Sequence, residues 1–223
     1  MNWGVNNHQT WYNAGLMAIA SVLGDEKLVN RVLTMRGGFH DQLARLIDQD
    51  GIWYEGTMAY QNYALQAMVQ IVDAGRRINL PLEREAEFRT LLMAPTKVCY
   101  PNGQFPAIND SDRLSIRSFD WSFAWAAQTY EDWPGEPRPT IETKSTNLAG
   151  AGLAVLRRGK GDQAICAMLN YGPHGGGHGH YDKLNLMLYA HGREWLLDPG
   201  ASISRRQDRR PPRAPTTHHH AAC

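Results

Sequence analysis

EDWPGEPRPT, residues 131–140, separates two stretches of this chain that have different patterns of apolar residues. Three prolines and one glycine within ten residues cannot continue a helix, because proline lacks the backbone N–H and its ring clashes with the preceding turn. From His8 to about Ala94, apolar residues recur at three- and four-residue spacing, which is the period of one helix face. We therefore place a domain boundary near residue 135.

The part before the boundary is predicted to form several antiparallel helices, because the intervening loops are short. In the first helix a stripe of apolar or small residues shares one face: Trp11, Gly15, Ile19, Val22 and Leu23. The pair Gly24 and Asp25 predicts a helix end followed by a new N-cap. Further helical patterns occupy residues 39–48, 58–72, 83–93 and 119–129.

The part after the boundary is predicted to form antiparallel strands. Its apolar runs are short and are separated by Gly, Pro and Asp, at residues 152–158, 163–170, 184–189 and 194–197. The last two runs form a hairpin across residues 190–192. The predicted helices all come before the predicted strands. This order indicates separate helical and β regions rather than a βαβ sheet.

Composition excludes several classes of protein. The 223 residues, 43% of them hydrophobic, are enough to bury a sizeable core. A formal net charge of +1 provides no global field that would attract nucleic acid or a membrane surface. The sequence has no run of about 18 apolar residues and does not start like a signal peptide. Cys99, Cys166 and Cys223 lack CxxC spacing, so neither a disulfide framework nor a cysteine zinc site is supported.

GPHGGGHGHY, residues 172–181, places three histidines among five glycines between two predicted strands. Glycines let the backbone approach a ligand, so we favour a metal or catalytic loop over a flexible surface loop. His178 and His180 point the same way if the segment is extended. Asp198 follows the hairpin, which brings its carboxylate near His180 as a second ligand of zinc-compatible chemistry. Asp-Pro-Gly is also a common strand terminator.

Asn7 and His8 stand at the predicted start of the first helix, and Trp11 follows on the same face. Asparagine is a preferred N-cap residue, because its side-chain oxygen accepts hydrogen bonds from the unpaired backbone N–H groups of the first turn. From the residues alone, capping is therefore the simpler interpretation of Asn7.

WYEGTMAYQNYAL, residues 53–65, places Tyr60 and Tyr63 on one side of a predicted helix. Aromatic residues at that spacing usually belong to the core, so periodicity alone does not identify a catalytic tyrosine. Their clustering with Glu55 and Asn62 indicates a polar groove where the helix begins.

Three stretches together resemble the heparinase II/III-like and alginate-lyase superfamily: NNHQTWYNAG at 6–15, DGIWYEGTMAYQNYAL at 50–65 and GHGHYDKLNLMLYAHGREWLLDPG at 177–200. The resemblance implies a multidomain α and β fold. Residues 1–135 are expected to be the C-terminal part of an α/α toroid, and residues 136–204 the first strands of an antiparallel β-sandwich. The chain is thus expected to be an internal fragment, and its Arg/Pro-rich tail, residues 205–223, is expected to be disordered.

The resemblance also implies roles for residues in a cleft between the two parts. Asn7 and His8 correspond to the pair that neutralises the substrate carboxylate. Tyr60 corresponds to the tyrosine that serves as acid and also as base, with Tyr63 as the alternative, and His178 corresponds to the second catalytic histidine.

A zinc site and a substrate-binding surface follow from the same resemblance. His180 and Asp198 correspond to two ligands of a structural zinc site, whose third ligand has no recognisable counterpart in this chain. Substrate contacts are expected from the neighbouring aromatic and acidic residues Trp11, Trp53, Glu55 and Tyr63.

The activity that the resemblance implies is β-elimination on a uronic-acid glycan, either alginate or a glycosaminoglycan-like polymer. We expect positive charge from the histidines to lower the Tyr60 pKa and make this residue a usable base. A glycoside hydrolase with Glu55 and Asp198 as paired carboxylates is one alternative, and an inactive carbohydrate-binding fragment is another.

The expected partner is an acidic polysaccharide, with neither nucleic acid nor membrane insertion. Arg117, Arg157 and Arg158 could recognise sulfate groups or simply be solvated surface. The substrate class, rather than any signal in this chain, implies a periplasmic or secreted location.

Overall fold

The computed structural model describes residues 6–81, 84–134, 138–172 and 178–201. Within those ranges the helices precede the strands, as predicted: α1 (Asn7–Leu23), α2 (Glu26–Thr34), α3 (Phe39–Leu46), α4 (Met58–Arg77), α5 (Glu85–Met93), α6 (Pro95–Val98), α7 (Asp120–Thr129), β1 (Thr146–Leu148), β2 (Leu153–Arg158), β3 (Ile165–Asn170), β4 (Asn185–Ala190) and β5 (Arg193–Leu196). Helix α4 continues five residues beyond its predicted end. His174 and the expected disordered tail lie outside the described residues. None of the described helices is long and apolar enough to cross a membrane.

Helix α1 buries a different face from its apolar stripe. Ile19, Val22 and Leu23 are 55%, 86% and 72% exposed. The buried positions are mostly small or polar: Asn7, Thr10, Asn13, Ala14, Met17 and Ala20. Thr10 Oγ1 donates to a side-chain oxygen of α3, and Asn13 Nδ2 donates to a backbone carbonyl, each at 2.8 Å. Because these polar groups are satisfied, they can be buried where α1 packs against its neighbours.

Local capping chemistry sets the ends of α1. Gly24 adopts the left-handed conformation with φ of 67°, and Asp25 caps α2, as predicted. Asn6 rather than Asn7 caps the start of α1, because Asn6 Oδ1 accepts from the backbone N–H of Gln9 at 2.9 Å. The capping interpretation of Asn7 is therefore wrong, and its amide is available for other contacts.

The five strands form one antiparallel sheet in the order of the sequence. Strand β1 was not predicted, because three residues are too few to show alternation. The predicted β4–β5 hairpin is present and turns through His191 and Gly192, whose φ angles of 50° and 78° are typical of a two-residue type I′ turn.

One face of the sheet packs against the helices. Its buried side chains alternate along the strands, with Val155, Cys166, Met168 and Met187 all fully buried. Tyr189 stacks on Tyr100 of the helical part with ring centroids 5.3 Å apart. Because one hydrophobic core includes residues from both parts, the proposed division at residue 135 stays a prediction.

Candidate active site

The loop between α3 and α4 is tied to both parts of the molecule. Asp50 Oδ2 accepts from the backbone N–H of Gly150 at 2.7 Å, across the helix–sheet interface. The buried side chain of Gln61 accepts from the backbone N–H of Trp53 at 3.2 Å. These hydrogen bonds hold the backbone that presents Trp53 and Glu55.

The carboxylate of Glu55 is the centre of a buried polar cluster. Trp53 Nε1 and Asn7 Nδ2 donate to Glu55 Oε2 at 2.6 and 3.2 Å. His178 Nε2 lies 3.5 Å from Oε1. Burial raises the pKa of Glu55, and the interactions with Trp53, His178 and Asn7 oppose that rise. Asn7 and His178, which are far apart in sequence, thus meet at one carboxylate.

Tyr60 lies against His178, which precedes strand β4. Thr57 caps α4 by accepting from the backbone N–H of Tyr60 at 3.0 Å. The Tyr60 ring stacks on the His178 imidazole, with centroids 3.9 Å apart and planes 23° apart. Burial raises the pKa of Tyr60, and the negative charges of Asp110 and Glu55 raise it further. Our expectation that this pKa is lowered is therefore wrong, because desolvation and nearby carboxylates both raise it.

Asp110 joins the two histidines, and the sequence reasoning missed it. Its Oδ2 lies 3.2 Å from His178 Nδ1 and its Oδ1 lies 2.9 Å from His180 Nε2. An ionised carboxylate can only accept hydrogen bonds, so we assign the protons to the ring nitrogens that face it. Asn109 Oδ1 also accepts from the backbone N–H of His180 at 3.1 Å. The residues around Asp110 have no helical or strand period, so nothing in the local sequence singled it out.

His8, Trp11 and Tyr63 are the remaining predicted site residues in the helical part. His8 is exposed, and its charge opposes the rise in the Glu55 pKa that burial causes. Trp11 and Tyr63 form a tilted aromatic pair with centroids 5.4 Å apart. Tyr63 is 41% exposed. Tyr60 rather than Tyr63 is the ring stacked on His178, which makes Tyr60 the better catalytic candidate.

A second cluster contains the two predicted zinc ligands and an aspartate that was not predicted. His180, Asp182 and Asp198 each offer one ligand atom, and the three atoms lie within 4.8 Å of one another. Burial raises the pKa of Asp198, and hydrogen bonds of 2.8 Å from Gly200 and Asn185 act against this. One imidazole nitrogen and two carboxylate oxygens fit the donor chemistry of zinc. The spacing of two residues between His180 and Asp182 was the available sequence signal.

Comparisons with known proteins match both parts of the chain. A family model described as alginate lyase matches residues 1–95, and one described as heparinase II/III-like, C-terminal, matches residues 140–222. An exo-oligoalginate lyase of Saccharophagus degradans is 26% identical over 89% of this chain and 32% of its own length. An alginate lyase of Stenotrophomonas maltophilia is 25% identical over the same shares.

Solved structures share the fold. Heparan sulfate lyase HepC from Pedobacter heparinus has a TM-score of 0.68 at 18% identity, over 87% of this chain and 32% of that one. A structure of heparinase III has a TM-score of 0.70 at 16% identity, over 89% of this chain and 35% of that one. The chain therefore spans about a third of the length of the relatives it matches. Residues 1–95 are thus similar to alginate lyases, residues 140–222 are similar to the heparinase II/III-like C-terminal family, and the chain shares its fold with heparan sulfate lyase.

Proposed function

We propose that this chain carries the catalytic centre of a polysaccharide lyase that cleaves a uronic-acid glycan by β-elimination. The observation that carries the proposal is the meeting of Asn7, Glu55, Tyr60 and His178 in one cluster at the boundary between helices and sheet. We further propose that the helices are part of an α/α toroid and that the sheet is part of a β-sandwich, with this cluster in the cleft between them.

The elimination removes the proton from C5 of a uronate, forms the C4–C5 double bond and breaks the C4–O4 bond while O4 receives a proton. The C5 proton is weakly acidic, because the adjacent carboxylate is already negative. Donors that neutralise the carboxylate stabilise the developing enediolate, by about 3 kcal/mol for each well-placed donor. We assign this role to the amide of Asn7 and to the imidazoles of His8 and His178. Glu55 holds Asn7 from the buried side. Glu55 and Asp110 face the two ring nitrogens of His178, so His178 would contribute positive charge rather than a hydrogen bond.

Tyr60 is proposed to give the proton to the departing O4. Its raised pKa keeps the phenol protonated at neutral pH, which is the form that can donate. To take the C5 proton as well, Tyr60 must first lose its own proton, and the same environment opposes that loss. In the complete step Tyr60 would enter as the phenolate, take the C5 proton and return that proton to O4, so that the side chain ends unchanged. The raised pKa favours the second, proton-donating half of this step.

Alginate is the proposed substrate, because the sequence relatives are alginate lyases and the heparan sulfate lyases are similar in fold alone. Arg157 was considered above for sulfate recognition, but its side chain already forms hydrogen bonds within the protein. Its Nη2 donates to the backbone carbonyls of Lys97 and Cys99 at 3.0 and 2.7 Å. Arg117 and Arg158 lie on the surface of the molecule.

The hydrolase alternative is not favoured. A glycosidase needs two carboxyl groups that flank one glycosidic bond. Glu55 is hydrogen-bonded to Asn7 and Trp53, whereas Asp198 lies in a different cluster with His180. The two carboxylates therefore do not form an acid and base pair.

The test is to incubate the purified chain with alginate oligosaccharides and with heparan sulfate while following the ultraviolet absorbance of the unsaturated product. We expect absorbance with alginate, and we expect Tyr60→Phe to abolish it while oligosaccharide binding, measured by calorimetry, is retained. Reducing ends without an unsaturated ring would favour the hydrolase. Binding without turnover in both the wild type and Tyr60→Phe would favour a binding module.

We also propose a structural zinc ion at His180 and Asp198, and export to the periplasm or the medium, where acidic polysaccharides are encountered. The zinc site is supported by Nδ1 of His180, which is buried and has no hydrogen-bond partner within residues 6–81, 84–134, 138–172 and 178–201. The ion would add positive charge that holds the histidine segment in place. The residues of the Glu55 cluster would carry out the elimination.

A further inference from the structure

We propose that Asp182 is a third protein ligand of the Zn²⁺ ion held by His180 and Asp198. The described part of this chain would then supply three ligands by itself. The inference rests on the zinc site proposed above and adds a ligand to it, and it can be tested without measuring lyase activity.

His180 is arranged as metal-bound histidines usually are. Its Nε2 faces Asp110 Oδ1 at 2.9 Å, so Nε2 carries the proton and Nδ1 carries the free lone pair. Nδ1 is buried and, among the described residues, has no hydrogen-bond partner. An unpaired buried acceptor costs free energy, and a bound cation would remove that cost. A carboxylate behind the imidazole is the outer partner that orients such a ligand.

Asp182 offers the complementary oxygen. Its Oδ1 is buried and without a hydrogen-bond partner in the part of the chain that the structure describes. Its Oδ2 accepts one long hydrogen bond of 3.5 Å from Asn185. Asp198 faces this group, is only 3% exposed and feels the negative charge of Asp182. Two neighbouring carboxylates repel each other in a buried site, so a divalent cation would offset both charges.

The three ligand atoms must move slightly closer together to bind one zinc ion. They lie within 4.8 Å of one another, whereas zinc bonds of 2.0–2.1 Å in a tetrahedral site hold ligands about 3.4 Å apart. Asp198 is fixed by Asn185 and Gly200. Asp182 is held loosely and is therefore the side chain that would move. Zinc is favoured over calcium or magnesium, which prefer oxygen ligands alone.

The first experiment titrates the chelator-stripped chain with Zn²⁺ and measures affinity by competition with a chromophoric chelator. We expect one ion per wild-type chain and at least tenfold weaker binding in Asp182→Asn. Asp162→Asn is the matched control, because Asp162 is an exposed aspartate on the β2–β3 turn and should bind zinc like the wild type. Circular dichroism verifies that each variant is folded.

A second experiment replaces zinc with Co²⁺ and records the visible absorption of the bound ion, which depends on the ligand set. We expect Asp182→Asn to shift this absorption and Asp182→Glu, which keeps a carboxylate, to restore much of the affinity. Wild-type affinity and an unchanged cobalt spectrum in Asp182→Asn would overturn the proposal. So would a wild-type chain that binds no zinc. Neither result depends on whether the chain cleaves alginate.

Discussion

The protonation state of Tyr60 decides what this residue can do. Burial and the charges of Asp110, Glu55 and Asp112 raise its pKa above the ordinary tyrosine value of about 10. If Tyr60 acts as the acid, kcat/KM for alginate should not fall on its account until the pH exceeds about 10, because the phenol stays protonated up to that point. A wild-type kcat/KM that instead rises about tenfold per pH unit through about pH 8–10 would identify the phenolate as the base.

Two adjacent asparagines at the start of α1 have separate roles. Asn6 caps the helix, so Asn6→Ala should lower the free energy of unfolding by about 1 kcal/mol and leave kcat unchanged. Asn7 reaches the Glu55 carboxylate, so Asn7→Ala should lower kcat/KM by about 100-fold or more. Urea unfolding and steady-state kinetics on both variants separate the two effects. Equal loss of activity in both would contradict the assignment.

At the scale of elements, the segment around Asp110 positions the histidines of the β region. Asp110 contacts both imidazoles through its side chain, and its backbone N–H donates to the carbonyl of His178 at 3.2 Å. Asp110→Asn keeps the shape but can present an amide N–H to a ring nitrogen, which permits the wrong tautomer. We expect kcat/KM and zinc affinity each to fall about 10- to 100-fold. Unchanged zinc affinity would show that Asp110 does not orient His180.

The elements also show why some predictions failed. The helical period of α1 was recognised correctly, but Ile19, Val22 and Leu23 of its apolar stripe are exposed. Thr10 and Asn13 are buried because partners in other segments satisfy them. Strand β1 is recognisable only through its pairing with β2, in which Leu148 lies opposite Leu153. Both features depend on neighbours that are distant in sequence.

At the scale of the whole molecule, Arg157 connects the sheet to the helical part. Its guanidinium donates to the carbonyls of Lys97, in α6, and of Cys99, which directly follows that helix. Arg157→Ala would leave these carbonyls without their partner and should cost about 1–3 kcal/mol of stability. Arg158→Ala, at an exposed neighbouring position, should cost less than about 0.5 kcal/mol. Thermal unfolding followed by circular dichroism compares them, and equal midpoints would show that Arg157 does not stabilise the interface.

The sequence by itself determined the helix-to-strand order and the β4–β5 hairpin, and it indicated the resemblance to known lyases, because periodicity, turn residues and motifs are local properties of the chain. It also named Asn7, Tyr60 and His178 through the resemblance. Only the tertiary structure decided that Asn7 binds Glu55 instead of capping its helix, that carboxylates surround Tyr60, and that Asp110 joins the two histidines. Those facts arise from hydrogen bonds and charges between segments that are far apart along the chain, and no local pattern encodes them.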